Sequence, residues 1–357
     1  MSRFQKIAEK LDEYSLDAMM VISEPNRLYA AQFHSTAGTA IITRTKSYFI
    51  TDSRYIEAAG KHVTGAELRQ NTTQVPVHTL VNEILKAHSV EKLGFEEQYA
   101  TVSEYNGWKE KLVCKELVPA TGLLMELRGV KEPGEIDCMI SAQRIAEKAL
   151  KDVLDFIKPG VTEKEISAYL QYRMLCHGAE KMSFEPIVVS GVNSSMPHGV
   201  PSEKRVAEGD FVTMDFGCVY GGYCSDMTRT VAVGYATEEM EKVYYTVLAA
   251  QKAGIAAARA GVTGKSIHET AAKVIAAAGY GPYFGHGFGH GVGVEIHEGA
   301  GAAPTNGKPL PAGAVISAEP GIYLPGRFGV RIEDVIVLRE DGCTDIMEAP
   351  RDLTVLK

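Results

Sequence analysis

Val212-Thr213-Met214-Asp215-Phe216-Gly217 is followed, across Val219-Tyr220-Gly221-Gly222, by Cys224-Ser225-Asp226-Met227-Thr228. Each flank is an apolar strand interrupted by one carboxylate, and the link between them is a turn signal, so the segment reads as a β-hairpin. A turn centred on Tyr220 and Gly221 sets Asp215 directly opposite Asp226, where β-carbons lie about 4.5–5.5 Å apart. Two carboxylates that close repel each other unless a cation lies between them. The bland alternative leaves one Asp exposed and pairs the other with Arg229. The pattern recurs where Ile316-Ser317-Ala318-Glu319-Pro320-Gly321-Ile322-Tyr323 and Gly329-Val330-Arg331-Ile332-Glu333-Asp334 flank Leu324-Pro325-Gly326-Arg327. A turn centred on Gly326 sets Glu319 opposite Glu333, and Pro320, with no ladder donor, predicts a bulge or edge beside them.

Between the two hairpins lies Gly285-His286-Gly287-Phe288-Gly289-His290-Gly291-Val292-Gly293-Val294-Glu295-Ile296-His297-Glu298. Each glycine there would cost roughly 1 kcal/mol in a helix interior, so the stretch reads as a strand or extended loop. Strand alternation would turn His286, Phe288 and His290 to one side. His297 breaks that parity, which predicts a turn or bulge between Val292 and Ile296. A mobile glycine-rich loop with incidental histidines is the alternative. Upstream, His198 sits between Pro197 and Gly199 on a stiffened turn, as a positioned side chain or as a plain loop histidine. Two opposed carboxylate pairs plus an imidazole are what two cations about 3.5–4 Å apart require. An oxygen-rich site of this kind suits manganese, cobalt, iron or zinc without choosing among them.

The rest of the chain supplies the frame. Its 357 residues, 45% hydrophobic and 23% charged, are ordinary globular usage and suggest two domains. The net charge of -8 argues against nucleic acid as the main partner. No run approaches the roughly 18 apolar residues of a membrane span. The amino terminus opens an amphipathic helix rather than a signal peptide, and the six cysteines form no C-x-x-C pair, so a cytoplasmic location is expected. In order, the sequence predicts a capped helix from Ser2 to near Tyr14, a strand over 17–22, a hairpin of 39–43 with 47–50, a helix over 77–87, a strand over 93–95 and a helix over 102–112. This makes residues 1–122 a small α/β domain. A linker follows over 123–134, containing a short helix. A second domain over 135–357 opens with helices over 135–157 and from Thr162 to about Cys176, and continues with a strand over 187–190.

The order Asp215, Asp226, His290, Glu319, Glu333, with His198, His286 and His297 between, resembles the pita-bread metallopeptidases, specifically the Xaa-Pro dipeptidase (prolidase) and aminopeptidase P group. The resemblance implies an α+β fold in which a curved antiparallel sheet with covering helices follows a smaller creatinase-type α/β domain. It also implies two divalent metal ions, manganese first with cobalt, iron or zinc as alternatives. Asp215 would chelate one metal, His290 and Glu319 would hold the second, and Asp226 and Glu333 would bridge them. A metal-bridging hydroxide would attack the carbonyl before proline, and Glu319 would carry its proton to the leaving nitrogen. His198 and His297 would orient substrate and stabilise the oxyanion, His286 would line the proline side, and Arg331 and Tyr323 would fix the ligand carboxylates. Small peptides with proline in second position are the implied substrates, and a homodimer the implied assembly. Fold relatives that work otherwise are non-catalytic binding proteins, creatinase-like hydrolases and methionine aminopeptidases. In this group a proline often follows the His-Glu pair; here Gly299-Ala300-Gly301-Ala302 follows Glu298 and Pro304 comes later.

Overall fold

The computed structural model describes residues 1–357, which divide into two units at Arg128 and Gly129. The division falls inside the 123–134 segment. Leu123 and Leu124, on the helix Thr121–Gly129, are buried in the core of the first unit.

In the first unit, helix α1 (Arg3–Lys10) begins with the expected capping box at Ser2 and Gln5 and ends one turn earlier than predicted. Six strands, β1 (Ala18–Val21), β2 (Thr39–Thr43), β3 (Ser47–Thr51), β4 (Glu67–Gln70), β5 (Lys92–Phe95) and β6 (Glu116–Pro119), form one mixed sheet in the order β4-β3-β2-β1-β5-β6. The 39–43 and 47–50 runs pair as the predicted antiparallel hairpin. Apolar side chains leave both sheet faces: Met19, Val21 and Ile42 pack with Phe4, Ile7 and Leu11 on one, and Met20, Ile41 and Ile50 with Leu80, Val81 and Ile84 on the other. That alternation is the period-2 pattern of a sheet covered on both sides.

The second unit is built from two halves, each a helix pair on antiparallel strands. In the first half, α2 (Pro133–Phe156) and α3 (Glu163–Cys176) cover a sheet containing β7 (Ile187–Ser190), β8 (Phe211–Phe216) and β9 (Met227–Val233). Ala146, Ala149 and Val153 of α2 meet Val212, Met214 and Val231 in its core. In the second half, α4 (Glu238–Ala257) and α5 (Gly264–Ala277) cover β10 (Val315–Ala318), β11 (Gly321–Leu324), β12 (Phe328–Arg331) and β13 (Asp334–Arg339). This is the helix-covered antiparallel architecture that the resemblance implies. No helix is long and apolar enough to cross a membrane, and all six cysteines are unpaired.

Phe288, fully buried, lies against α4 at Gly254, where an added β-carbon would fall 2.3 Å from the ring. Gly254→Ala is therefore expected to destabilise the fold by about 1–3 kcal/mol, read as a lower midpoint in urea. An unchanged midpoint would show that the ring can move aside.

Candidate metal centre

The first hairpin turns at Gly221-Gly222, with φ of 59° and 78°, and not at Tyr220-Gly221. Two adjacent positive φ values are what a two-residue type I′ turn needs, and glycine meets them without the β-carbon clash that Tyr220 would suffer. The pairing moves accordingly. Asp215 faces Thr228, not Asp226. Asp226 lies on the stretch between the ladder that pairs Val219 with Cys224 and the one that pairs Met227 with Phe216. Both aspartates nonetheless line the same cavity.

The second hairpin has the expected register. Ala318 faces Asp334 in one ladder and Gly321 faces Arg331 in the next, which leaves Glu319 across from Glu333 in the interruption between them. Pro320 sits in that interruption, where no ladder donor is needed. Asp226, Glu319 and Glu333 thus lie where ladders are interrupted, whereas Asp215 lies within one, between Thr228 and Ile187.

The glycine-rich stretch is an extended loop that runs beside β10. Ser317 N donates to His290 O (2.8 Å), Glu319 N to Phe288 O (2.8 Å) and Val292 N to Val315 O (3.1 Å). The approach is so close that a β-carbon on Gly289 would lie 1.9 Å from Ser317 O. Strict alternation fails here: His286 and His290 line the cavity, while Phe288 is buried in the helix-packed core. Without a regular ladder the residues are not bound to one side each. The expected turn before His297 is present, with Gly293 N donating to Glu295 O.

Asp215, Asp226, His290, Glu319 and Glu333 all line one cavity of about 480 Å³, together with His198, His286, His297 and Arg331. Tyr323 stands behind it, bonded to His286 and Arg331. Ligand atoms of Asp226, His290 and Glu333 lie within 4.8 Å of one another. His290 Nε2 is 3.4 Å from Asp226 Oδ2 and 3.3 Å from Glu319 Oε1. Asp215 Oδ2 takes an ion pair from Arg331, while its Oδ1 and Glu333 Oε1 are buried with no hydrogen-bond partner.

Burial and mutual repulsion show in the acidities. Burial first, and then the charges of Asp226 and Glu319 against the opposing Arg331, push Asp215 up to about 7. Glu333 is raised well above the carboxylate range by burial and by Asp226, Glu319 and Asp215. Burial would lower His290, but Asp226 and Glu319 outweigh it and raise the imidazolium to about 9. These are the marks of a site made for positive charge: unpartnered carboxylate oxygens, hard oxygen donors and one imidazole.

A carboxyl with a raised folded pKa binds its proton more tightly folded than unfolded, and so does His290, so stability falls as pH rises through both ranges. Metal-free protein is expected to melt at a lower temperature at pH 8 than at pH 5. A higher melting temperature at pH 8 would contradict the mutual repulsion of the acids.

Thr228 and Ser317 were not singled out by sequence. Thr228 Oγ1 donates to Glu333 Oε2 (2.7 Å) and accepts from Arg331 Nε (3.0 Å), and Ser317 Oγ donates to Glu319 Oε1 (3.0 Å). Parity was the available signal: each lies two residues from an acidic ligand candidate on the same strand face. A further buried pair, Lys131 Nζ to Glu298 Oε1 at 2.9 Å, anchors the residue after His297.

Two family models match the chain: metallopeptidase family M24 over residues 137–340, and the creatinase/prolidase N-terminal domain over residues 3–130. An Xaa-Pro dipeptidase of Pyrococcus horikoshii is 35% identical, with 98% of each chain covered. Among solved structures, an Xaa-Pro dipeptidase from Bacillus anthracis is 41% identical with a TM-score of 0.95, covering 99% of both chains. An X-Pro aminopeptidase from Thermotoga maritima is 34% identical with a TM-score of 0.92, covering 97% of this chain and 99% of that one.

Proposed function

Because the chain belongs to metallopeptidase family M24, we propose that it hydrolyses the bond between an amino-terminal residue and a following proline, using two divalent cations held by Asp215, Asp226, His290, Glu319 and Glu333. The observation that carries this reading is the meeting of four carboxylates and one imidazole in one cavity, with two carboxylate oxygens left unpartnered. Even with Arg331 paired to Asp215, four carboxylates leave more negative charge in the cavity than one divalent cation would cancel. Asp226, His290 and Glu333, with ligand atoms within 4.8 Å of one another, would hold part of that charge together. When bound, the cations would polarise the scissile carbonyl and supply hydroxide near neutral pH.

The chain's own groups do the rest. Glu319, with its carboxyl raised mainly by burial against the opposing pull of His290 and Arg331, would take a proton from the attacking water and pass it to the proline nitrogen. Gly287 O can only accept, so His286 Nδ1 carries its proton toward it (2.8 Å) and Nε2 accepts from Tyr323 OH (3.0 Å). Tyr323 OH in turn accepts from Arg331 Nη1 (3.0 Å), and Arg331 holds Asp215. That chain of donors fixes a neutral His286 beside the substrate. His198 and His297 would donate to the oxyanion. Phe184, Ile187 and Ile296, in the same cavity, suit the apolar pyrrolidine ring.

Manganese is the first cation to load, with cobalt, iron and zinc compared beside it. The test is turnover of Ala-Pro and Ala-Pro-Ala by the loaded protein. Cleavage of either supports the reading and the ratio ranks dipeptidase against aminopeptidase action. No cleavage under any of these metals would end it, and cleavage only of methionyl peptides without proline would move it to another reaction. The homodimer implied by the resemblance is checked by sedimentation, where a monomer would exclude it.

A further inference from the structure

We propose that Glu163 is a positioning residue that clasps both ends of the loop 191–201 and so holds His198 in place; the proposal rests on the assignment of His198 to the active site. Glu163 opens α3 and is fully buried. Its Oε1 accepts from Ser190 N (2.6 Å), Ser190 Oγ (2.9 Å) and Asn193 Nδ2 (3.1 Å). Its Oε2 accepts from Ser202 N (3.0 Å), Ser202 Oγ (2.6 Å) and Asn193 Nδ2 (3.2 Å). Ser190 precedes the loop and Ser202 follows it, so a single carboxylate closes the loop's base.

A buried charge needs compensation. The amino end of α3 favours a negative group at this position, and Lys204 Nζ, itself paired with Asp210 Oδ2 (2.6 Å), reaches Ser190 Oγ at 2.9 Å. The loop's middle is tied elsewhere: Ser194 Oγ accepts from Gly329 N (2.9 Å) and Pro197 O accepts from Arg331 Nη1 (3.2 Å). Apolar packing contributes little, since Met196 and Val200 are 48% and 79% exposed. Hydrogen bonds therefore set the path of the loop that carries His198, and Glu163 accepts from three of its residues or flanks, Ser190, Asn193 and Ser202.

Glu163→Gln is nearly isosteric but turns one accepting oxygen into a donor, which sets an amide N–H against donors of Ser190 or Ser202. Hydrogen exchange should then quicken by about tenfold or more over 190–202 and stay unchanged in the Asp215–Asp226 hairpin. With Ala-Pro-Ala, kcat should fall by roughly ten- to a hundredfold with KM and metal content little changed. In a His198→Ala background the same substitution should have no further effect on kcat, because its influence passes through His198. Unchanged exchange over 190–202, or an undiminished loss of kcat without His198, would overturn the proposal. Should Glu163→Gln not fold, Ser202→Ala removes one donor and should loosen the same segment less; normal exchange there would equally overturn it. If the wild-type protein cleaves no Xaa-Pro peptide, the functional reading fails, and exchange still decides whether Glu163 holds the loop.

Discussion

Replacing His290 by Ala is expected to lower kcat/KM for Xaa-Pro peptides by about a thousandfold or more, roughly 4 kcal/mol of lost transition-state stabilisation, and to remove about one bound cation. The imidazole is the only nitrogen donor among the five proposed ligands, and it stands between Asp226 and Glu319. The fold should survive. His290 N donates to Ser317 Oγ (2.9 Å) and His290 O accepts from Ser317 N (2.8 Å), so the loop keeps its path without the ring. Metal analysis after dialysis, paired with circular dichroism, checks both halves of the expectation. Full metal content in the variant would contradict the assignment of His290 as a ligand.

The second large effect is structural. Arg229→Met is expected to destabilise the second unit by about 3–5 kcal/mol and to lower its melting temperature by roughly 6–15 °C. The guanidinium is buried and uses all five of its N–H groups: Nε to Pro350 O, Nη1 to Thr228 O and Glu333 O, Nη2 to Asp334 Oδ1 and Ala349 O. It thus ties β9 to the backbone of Glu333 and to the segment after β13. Met keeps the volume but leaves a buried carboxylate and four carbonyl oxygens without this donor. Asp334 Oδ2 retains Arg351 Nη1 at 3.0 Å, which keeps the effect within the stated range. A shift below about 1 °C would show that water or neighbouring groups replace the guanidinium.

Where the residues limited the backbone to one choice, sequence was enough. The second hairpin was placed in register because Leu324-Pro325-Gly326-Arg327 admits one turn centre, and Glu319 and Glu333 face each other as expected. The first was centred on Tyr220-Gly221, but the turn falls at Gly221-Gly222, where both positive φ values are carried by glycine. Moving the centre by one residue moved the partner by two, which changed Asp215's neighbour but not its face. For that reason the sequence picked out candidate residues that do share one cavity, even though Asp215 does not face Asp226. Phe288 was misread because alternation holds only inside a ladder, and the loop has a single bridge, Gly291 with Ile316. Helices α4 and α5 drew no expectation, yet they share one core with Phe288 and Ile316, which flank His290 in the loop and on β10. Thr228 and Glu163 act through hydrogen bonds formed between distant strands and loops, which residue spacing does not encode.

Calorimetric titration of metal-free protein with Mn²⁺ tests most directly whether the five side chains share two cations. Two equivalents per chain are predicted for the wild type, with the count falling when Asp226→Asn and Glu333→Gln are combined. Absence of saturable binding, or a stoichiometry that survives the double substitution, would contradict it.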